Sequence, residues 1–242
     1  MKRGIERMAM ALLALVALAG TATHLRAAPF SQTRIILETN ASAGDGGIQI
    51  FLDAPDWNRL EVFDPSGQRI FDVSGAGGAG MTGLTELFFE SAEPSFQDLP
   101  LHQLLARFPE GQYQFEGTTV DGKRLTGRGA LRHGIPAGPR VVSPVEGSTQ
   151  SPTFPLVIDW DPVLGALPGT ASPVNVVGYQ VIVERVKPQP LVAFSVHLPA
   201  TVSRVTVPAE FLQANADYKF EVLAIEESLN QTITEGSFKT AP

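Results

Sequence analysis

Apolar residues in this chain recur mostly at every second position, in short runs punctuated by Gly and Pro. That is the pattern of antiparallel strands with one buried face. Ile48, Ile50 and Leu52 alternate with Gln49 and Phe51. The runs at 60–63 and 69–73 flank Asp64-Pro65-Ser66-Gly67, where Pro in second place and Gly in fourth suit a type I turn and hence a hairpin. Gly75 to Gly83 reads as loop, followed by a strand around Leu84 to Phe89. One short helix is expected, because Leu101, Leu104, Leu105 and Phe108 fall at helical spacing after Pro100 and are stopped by Pro109 and Gly111. Strands at 113–117 and 125–131 follow, joined through Asp121-Gly122, a hairpin-turn pair. His133 to Pro139 then breaks every periodicity and places a domain boundary near residue 138.

Beyond Pro139 the alternation is cleaner. Leu156, Ile158 and Trp160 share one strand face, as do Tyr179, Val181 and Val183, and again Tyr218, Phe220, Val222 and Ala224. Two sheets with one buried face each, in about 100 residues, make a sandwich. Trp160 on the second strand, Tyr179 on the third, and Leu212 six positions before Tyr218 resemble the core signature of a fibronectin type III domain, over roughly residues 139–242. The resemblance implies a tyrosine corner at Leu212 to Tyr218, with the phenol bonded to upstream backbone and its ring packed inward. It also implies a last strand at Gly236 to Thr240 and no chemistry at these positions. The connection from Asp161 to Asn175 is long for that family, and no Arg-Gly-Asp occurs, so integrin-type adhesion does not carry over.

The first half repeats one pattern of the second: Tyr113-Gln-Phe115-Glu116 stands about one domain length before Tyr218-Lys-Phe220-Glu221, and Phe108 to Gly111 resembles the corner leading into such a strand. The expected fold is therefore all-β: two tandem antiparallel β-sandwiches, immunoglobulin-like over 29–138 and fibronectin type III-like over 139–242. The alternative for the first half is a different small sandwich with a helical cap.

Residues 1–28 read differently. Lys2, Arg3 and Arg7 precede an apolar run from Met8 to Ala19 and then small residues, the pattern of a secretory signal peptide. About a dozen apolar residues would span only ~18 Å as a helix against a hydrocarbon core of roughly 30 Å, so cleavage is favoured over anchoring. No second such stretch occurs, so no membrane span is expected after cleavage. Removal takes away four cations and one anion, moving the formal charge from -7 to -10. An acidic surface repels nucleic acid and anionic lipid. With Cys 0, each domain must stand on its core alone, and thiolate metal sites and cysteine nucleophiles are ruled out.

The search for chemistry yields little. His102, His133 and His197 have no metal-ligand spacing and read as structural or solvated. Glu86, Glu90, Glu93 and Asp98 could serve a glycosidase only if two of them faced each other across a cleft, and they read as a solvated rim near a helix cap. Asp45 with Asn40 lacks the ligand ladder of a calcium loop and reads as a turn. Gly75 to Gly80 lacks the Lys-Ser/Thr pair of a phosphate loop. Trp57 is the one candidate contact residue, on an expected loop from Ala54 where its ring could anchor a partner or stack on a sugar; the competing reading is an aromatic at the edge of the core.

These observations point to an exported, non-catalytic binding or spacer protein of the periplasm or extracellular space. It would act through contacts with an envelope or extracellular protein, with no cofactor and no metal, and with the sandwich-end loops Asp161 to Asn175 and Ala54 to Trp57 as the contact region. The alternative is a carbohydrate-binding accessory protein.

Overall fold

A computed structural model describes residues 27–242. The expected signal peptide lies almost entirely outside the described residues.

Nine strands and helices build the first half: β1 (Ala28–Pro29), β2 (Gln32–Asn40), β3 (Asp45–Phe63), β4 (Arg69–Ser74), α1 (Gly77–Thr82), β5 (Leu84–Glu90), α2 (Leu101–Arg107), β6 (Gly111–Thr119) and β7 (Arg124–Leu131). β3 belongs to both layers. Its first part pairs with β2 and β5, and its second with β4 and β6, which leads on to β7 and β1. Between them the register shifts at Asp53/Trp57 and again at Trp57/Arg59. The buried positions change parity there: Ile48, Ile50, Leu52 and Ala54 face inward, then Trp57, then Leu60 and Val62. A strand that passes from one sheet to the other by such bulges makes the corner of a sandwich.

The hairpin over 64–67 forms as expected. Gly67 N–H donates to the Asp64 carbonyl at 2.9 Å, and Asp64 Oδ1 accepts from Ser66 N–H and Gln68 N–H. The expected helix is α2, which turns Leu104 and Leu105 inward. The expectation of a single helix is corrected by α1, a six-residue turn of helix within the stretch read as loop; it buries no side chain, and its glycines carry no apolar stripe that could announce it.

In the second half, β8 (Val141–Ser143), β9 (Ser148–Gln150), β10 (Leu156–Trp160), β11 (Val176–Lys187), β12 (Val192–Pro199), β13 (Arg204–Val207), β14 (Asp217–Glu226) and β15 (Gln231–Thr240) form the second sandwich. One layer is β13-β10-β8 and the other β15-β14-β11-β12, the fibronectin type III arrangement. Trp160 and Tyr179 meet in its core with ring centroids 5.2 Å apart. Gln213 N–H donates to Tyr218 Oη at 2.8 Å, which forms the tyrosine corner that the resemblance implied. In the first sandwich Tyr113 Oη donates to the Pro109 carbonyl at 3.0 Å, so both repeated tyrosines close a corner just ahead of their strands.

Candidate functional site

The two sandwiches share one sheet. β15 pairs in parallel with β2 through Gln231↔Glu38, Thr232↔Thr39 and Ile233↔Asn40, so that β5, β3, β2, β15, β14, β11 and β12 lie side by side. Asn230, 1% exposed at the head of β15, ties this joint. Its Oδ1 accepts Leu37 N–H, and its Nδ2 donates to the carbonyls of Arg132 and Gly134, all at 2.8 Å. Thr232 Oγ1 donates to the Pro136 carbonyl at 2.6 Å and lies 2.8 Å from Thr39 Oγ1. A Cβ on Gly138 would stand 2.5 Å from that of Ala41, so the linker can approach β2 this closely only without a side chain.

The same linker explains the long connection 161–175. Leu167 N–H donates to the Ile135 carbonyl, Ala137 N–H to that of Gly165, and Ala171 N–H to that of His133. Leu167 packs against the core of the first sandwich, in which Ile135 is fully buried. The segment expected to contact a partner is also a strap from the second sandwich across the linker, and Leu164 on it stays 90% exposed.

Trp57 is also corrected. It lies within β3, not on a loop, and is 1% exposed at the sheet-switching corner, so its ring offers no face to a sugar or partner. Its Nε1 has no hydrogen-bond partner among the described residues.

Of the four carboxylates flagged in the sequence, the fold brings Glu90 and Glu93 together with a residue not flagged, Glu38. Facing oxygens of the three lie within 4.8 Å of one another, close enough to share a cation. Amides occupy the space instead. Gln49 Nε2 donates to Glu38 Oε1 at 2.8 Å and to Glu90 Oε1 at 3.1 Å, and Gln231 Nε2 donates to Glu38 Oε2. Burial, opposed by the Gln231 bond and reinforced by Glu90 and Glu93, pushes the Glu38 carboxyl up to about 7. Burial likewise raises Glu93 and Asp45, whose neighbours Glu90 and Glu235 add to the effect. A raised carboxyl beside a second carboxylate is the raw material of general acid catalysis, but a glycosidase pair stands about 5 to 10 Å apart with the scissile bond between. Glu38 and Glu90 are instead bridged by the amide of Gln49, which donates to both.

Asn40 Oδ1 accepts Ser42 N–H and Ala43 N–H, which makes it a turn cap rather than a cation ligand. His133 Nε2 lies 2.8 Å from the Phe108 carbonyl, and His102 is exposed on α2. His197, on β12, faces the outer side of the shared sheet.

No family model and no curated protein matches the chain. Among solved structures, it is similar to a fibronectin type III domain of human collagen alpha-1(XX), at 23% identity over 44% of this chain and 83% of that one, with a TM-score of 0.31. It is similar to a chicken contactin segment, FN1–FN3, at 13% identity over 89% of this chain and 65% of that one, with a TM-score of 0.35. A two-domain fibronectin type III segment of chicken tenascin is 14% identical over 87% and 99%, with a TM-score of 0.29. Among the described residues no helix is long and apolar enough to cross a membrane.

Proposed function

We propose that this chain is an exported, non-catalytic binding and spacing protein, working in the cell envelope or outside the cell through contacts with another protein, and divided near residue 138. The observation that carries this reading is the β2–β15 joint. A continuous sheet, with a buried asparagine bonded to three backbone groups, holds two sandwiches at one mutual orientation, whereas tandem domains on a free linker move by default. Fixed orientation serves a protein that sets a distance or presents two surfaces together. The basic and apolar N-terminal segment supports export, and the amide-filled carboxylate cluster supports a role without catalysis.

The test is affinity capture with tagged mature chain from the envelope fraction of the source cells, beside an Asn230→Ala variant. A protein partner recovered reproducibly by the wild type and weakly by the variant supports the reading. Recovery of no protein partner contradicts it.

A further inference from the structure

The outer face of the shared sheet carries a groove of about 370 Å³ that crosses the joint. It is lined from six adjacent strands: Gln49 on β3, Arg34 on β2, Gln231 on β15, Ile225 on β14, Gln180 on β11 and His197 on β12. Neighbouring strands stand about 4.8 Å apart, so the lining extends roughly 24 Å across the sheet. Neither sandwich alone supplies both halves.

The lining has a consistent chemistry. Each of the three glutamines has its amide nitrogen tied down: Gln49 and Gln231 donate to Glu38, and Gln180 donates to Ser195 Oγ at 3.1 Å. Among the described residues nothing donates to the three amide oxygens, which remain as oriented acceptors. Arg34, with its guanidinium carbon 5.5 Å from the Phe51 ring centroid, has no carboxylate partner among the described residues, and it adds donors to the same groove. Leu229 overhangs the rim with 40% of its surface exposed. It is held at φ 73, a conformation few leucines adopt, by its own N–H to the Glu226 carbonyl and by Glu226 Oε1, which accepts Ser228 N–H and Asn230 N–H.

We propose that this groove binds a neutral oligosaccharide. Sugar hydroxyls donate and accept at once, which suits a row of fixed acceptors interleaved with Arg34 and His197, while Ile225 and Leu229 offer apolar surface to the carbon–hydrogen face of a ring. An extended peptide is the poorer match. Its backbone groups are best met at a sheet edge, and this groove runs over side chains across the strands. An acidic glycan is disfavoured by the carboxylates of Glu90 and Glu93, which cluster beside the Gln49 end of the groove. Glycan binding here is independent of the protein contact proposed above.

The probe is an array of neutral oligosaccharides of increasing length, with acidic glycans alongside, read with the mature chain and with Gln180→Ala, Arg34→Ala and, as a distant control, Thr206→Ala. The expected result is binding to a neutral oligosaccharide that strengthens with length. It should fall at least about tenfold in Gln180→Ala and Arg34→Ala, stay unchanged in the control, and leave the thermal midpoints of all variants close to wild type. No neutral glycan signal, signal on acidic glycans alone, or binding retained by both groove variants would overturn the proposal. Capture of a protein partner by the same two variants stays intact if only the glycan site has been lost.

Discussion

The side-chain oxygen of Asn230 accepts the backbone N–H of Leu37, 2.8 Å away and 193 residues earlier in the chain. Leu37 sits in a strand of the first sandwich and Asn230 at the start of the last strand of the second, so one amide closes the joint between them. Asn230→Ala would leave the buried Leu37 N–H and the carbonyls of Arg132 and Gly134 without this partner. Urea denaturation is expected to show a loss of about 3 kcal/mol, since each buried group left unpaired costs roughly 1 to 3. Amide exchange at Leu37 should accelerate while that in the sandwich cores does not.

Glu38 gives the joint a pH dependence. Its carboxyl is raised in the folded protein to about 7 from 4.5, so the folded state holds a proton that the unfolded state releases between those values. Stability from this group is therefore present below about pH 4.5 and lost as pH rises through about 7, by at most about 3 kcal/mol. The facing groups, Gln49, Gln231, Glu90 and Glu93, include no cation to reverse the sign. Glu38→Gln removes the titrating proton; its one oxygen keeps one of the two acceptor contacts, while its amide nitrogen can donate to Glu90, or to the oxygen of the other glutamine once that amide turns over. Denaturation at about pH 5 and about pH 8 should find the variant less pH-dependent than wild type and the more stable of the two at the higher pH.

The two tyrosine corners should differ in weight. Tyr218→Phe strips the Gln213 N–H of its acceptor and is expected to cost about 2 kcal/mol; Tyr113→Phe removes one bond to the Pro109 carbonyl and should cost about 1. Burial, with Asp64 nearby, pushes the Tyr113 phenol up to about 12 from 10, so its contribution should be constant below about pH 10 and lost as pH rises through about 12. Chemical unfolding of the single variants measures both.

Leu229→Gly separates backbone from surface. Glycine adopts φ 73 without strain, so the variant should be as stable as wild type or up to about 1 kcal/mol more so. The same change removes the apolar rim of the groove, and glycan affinity should fall. Thermal unfolding and the array, run on one preparation, read the two effects.

What could be read along the chain was what short-range alternation encodes. Tyr179, Val181 and Val183, the 64–67 turn and α2 follow from period and turn chemistry. Trp57 was misplaced because Asp53-Ala-Pro-Asp56 has the composition of a loop, while its position is set by β3 crossing between sheets, which no local pattern reports. Glu38 alternates like an ordinary outward-facing residue, and only a strand arriving from the far end of the chain buries it. Asn230 looks like any turn asparagine for the same reason. The unusual length of 161–175 was visible, but the linker that it straps was not.

The absence of cysteine allows spin labels to be placed at will. Gln114→Cys on β6 and Thr206→Cys on β13, both exposed and each on a different sandwich, report the joint directly by pulsed dipolar spectroscopy. The expected result is a single narrow distance distribution that broadens when Asn230→Ala is added. A broad or multiple distribution in the otherwise unmodified protein would show that the sandwiches move independently and would contradict the fixed joint.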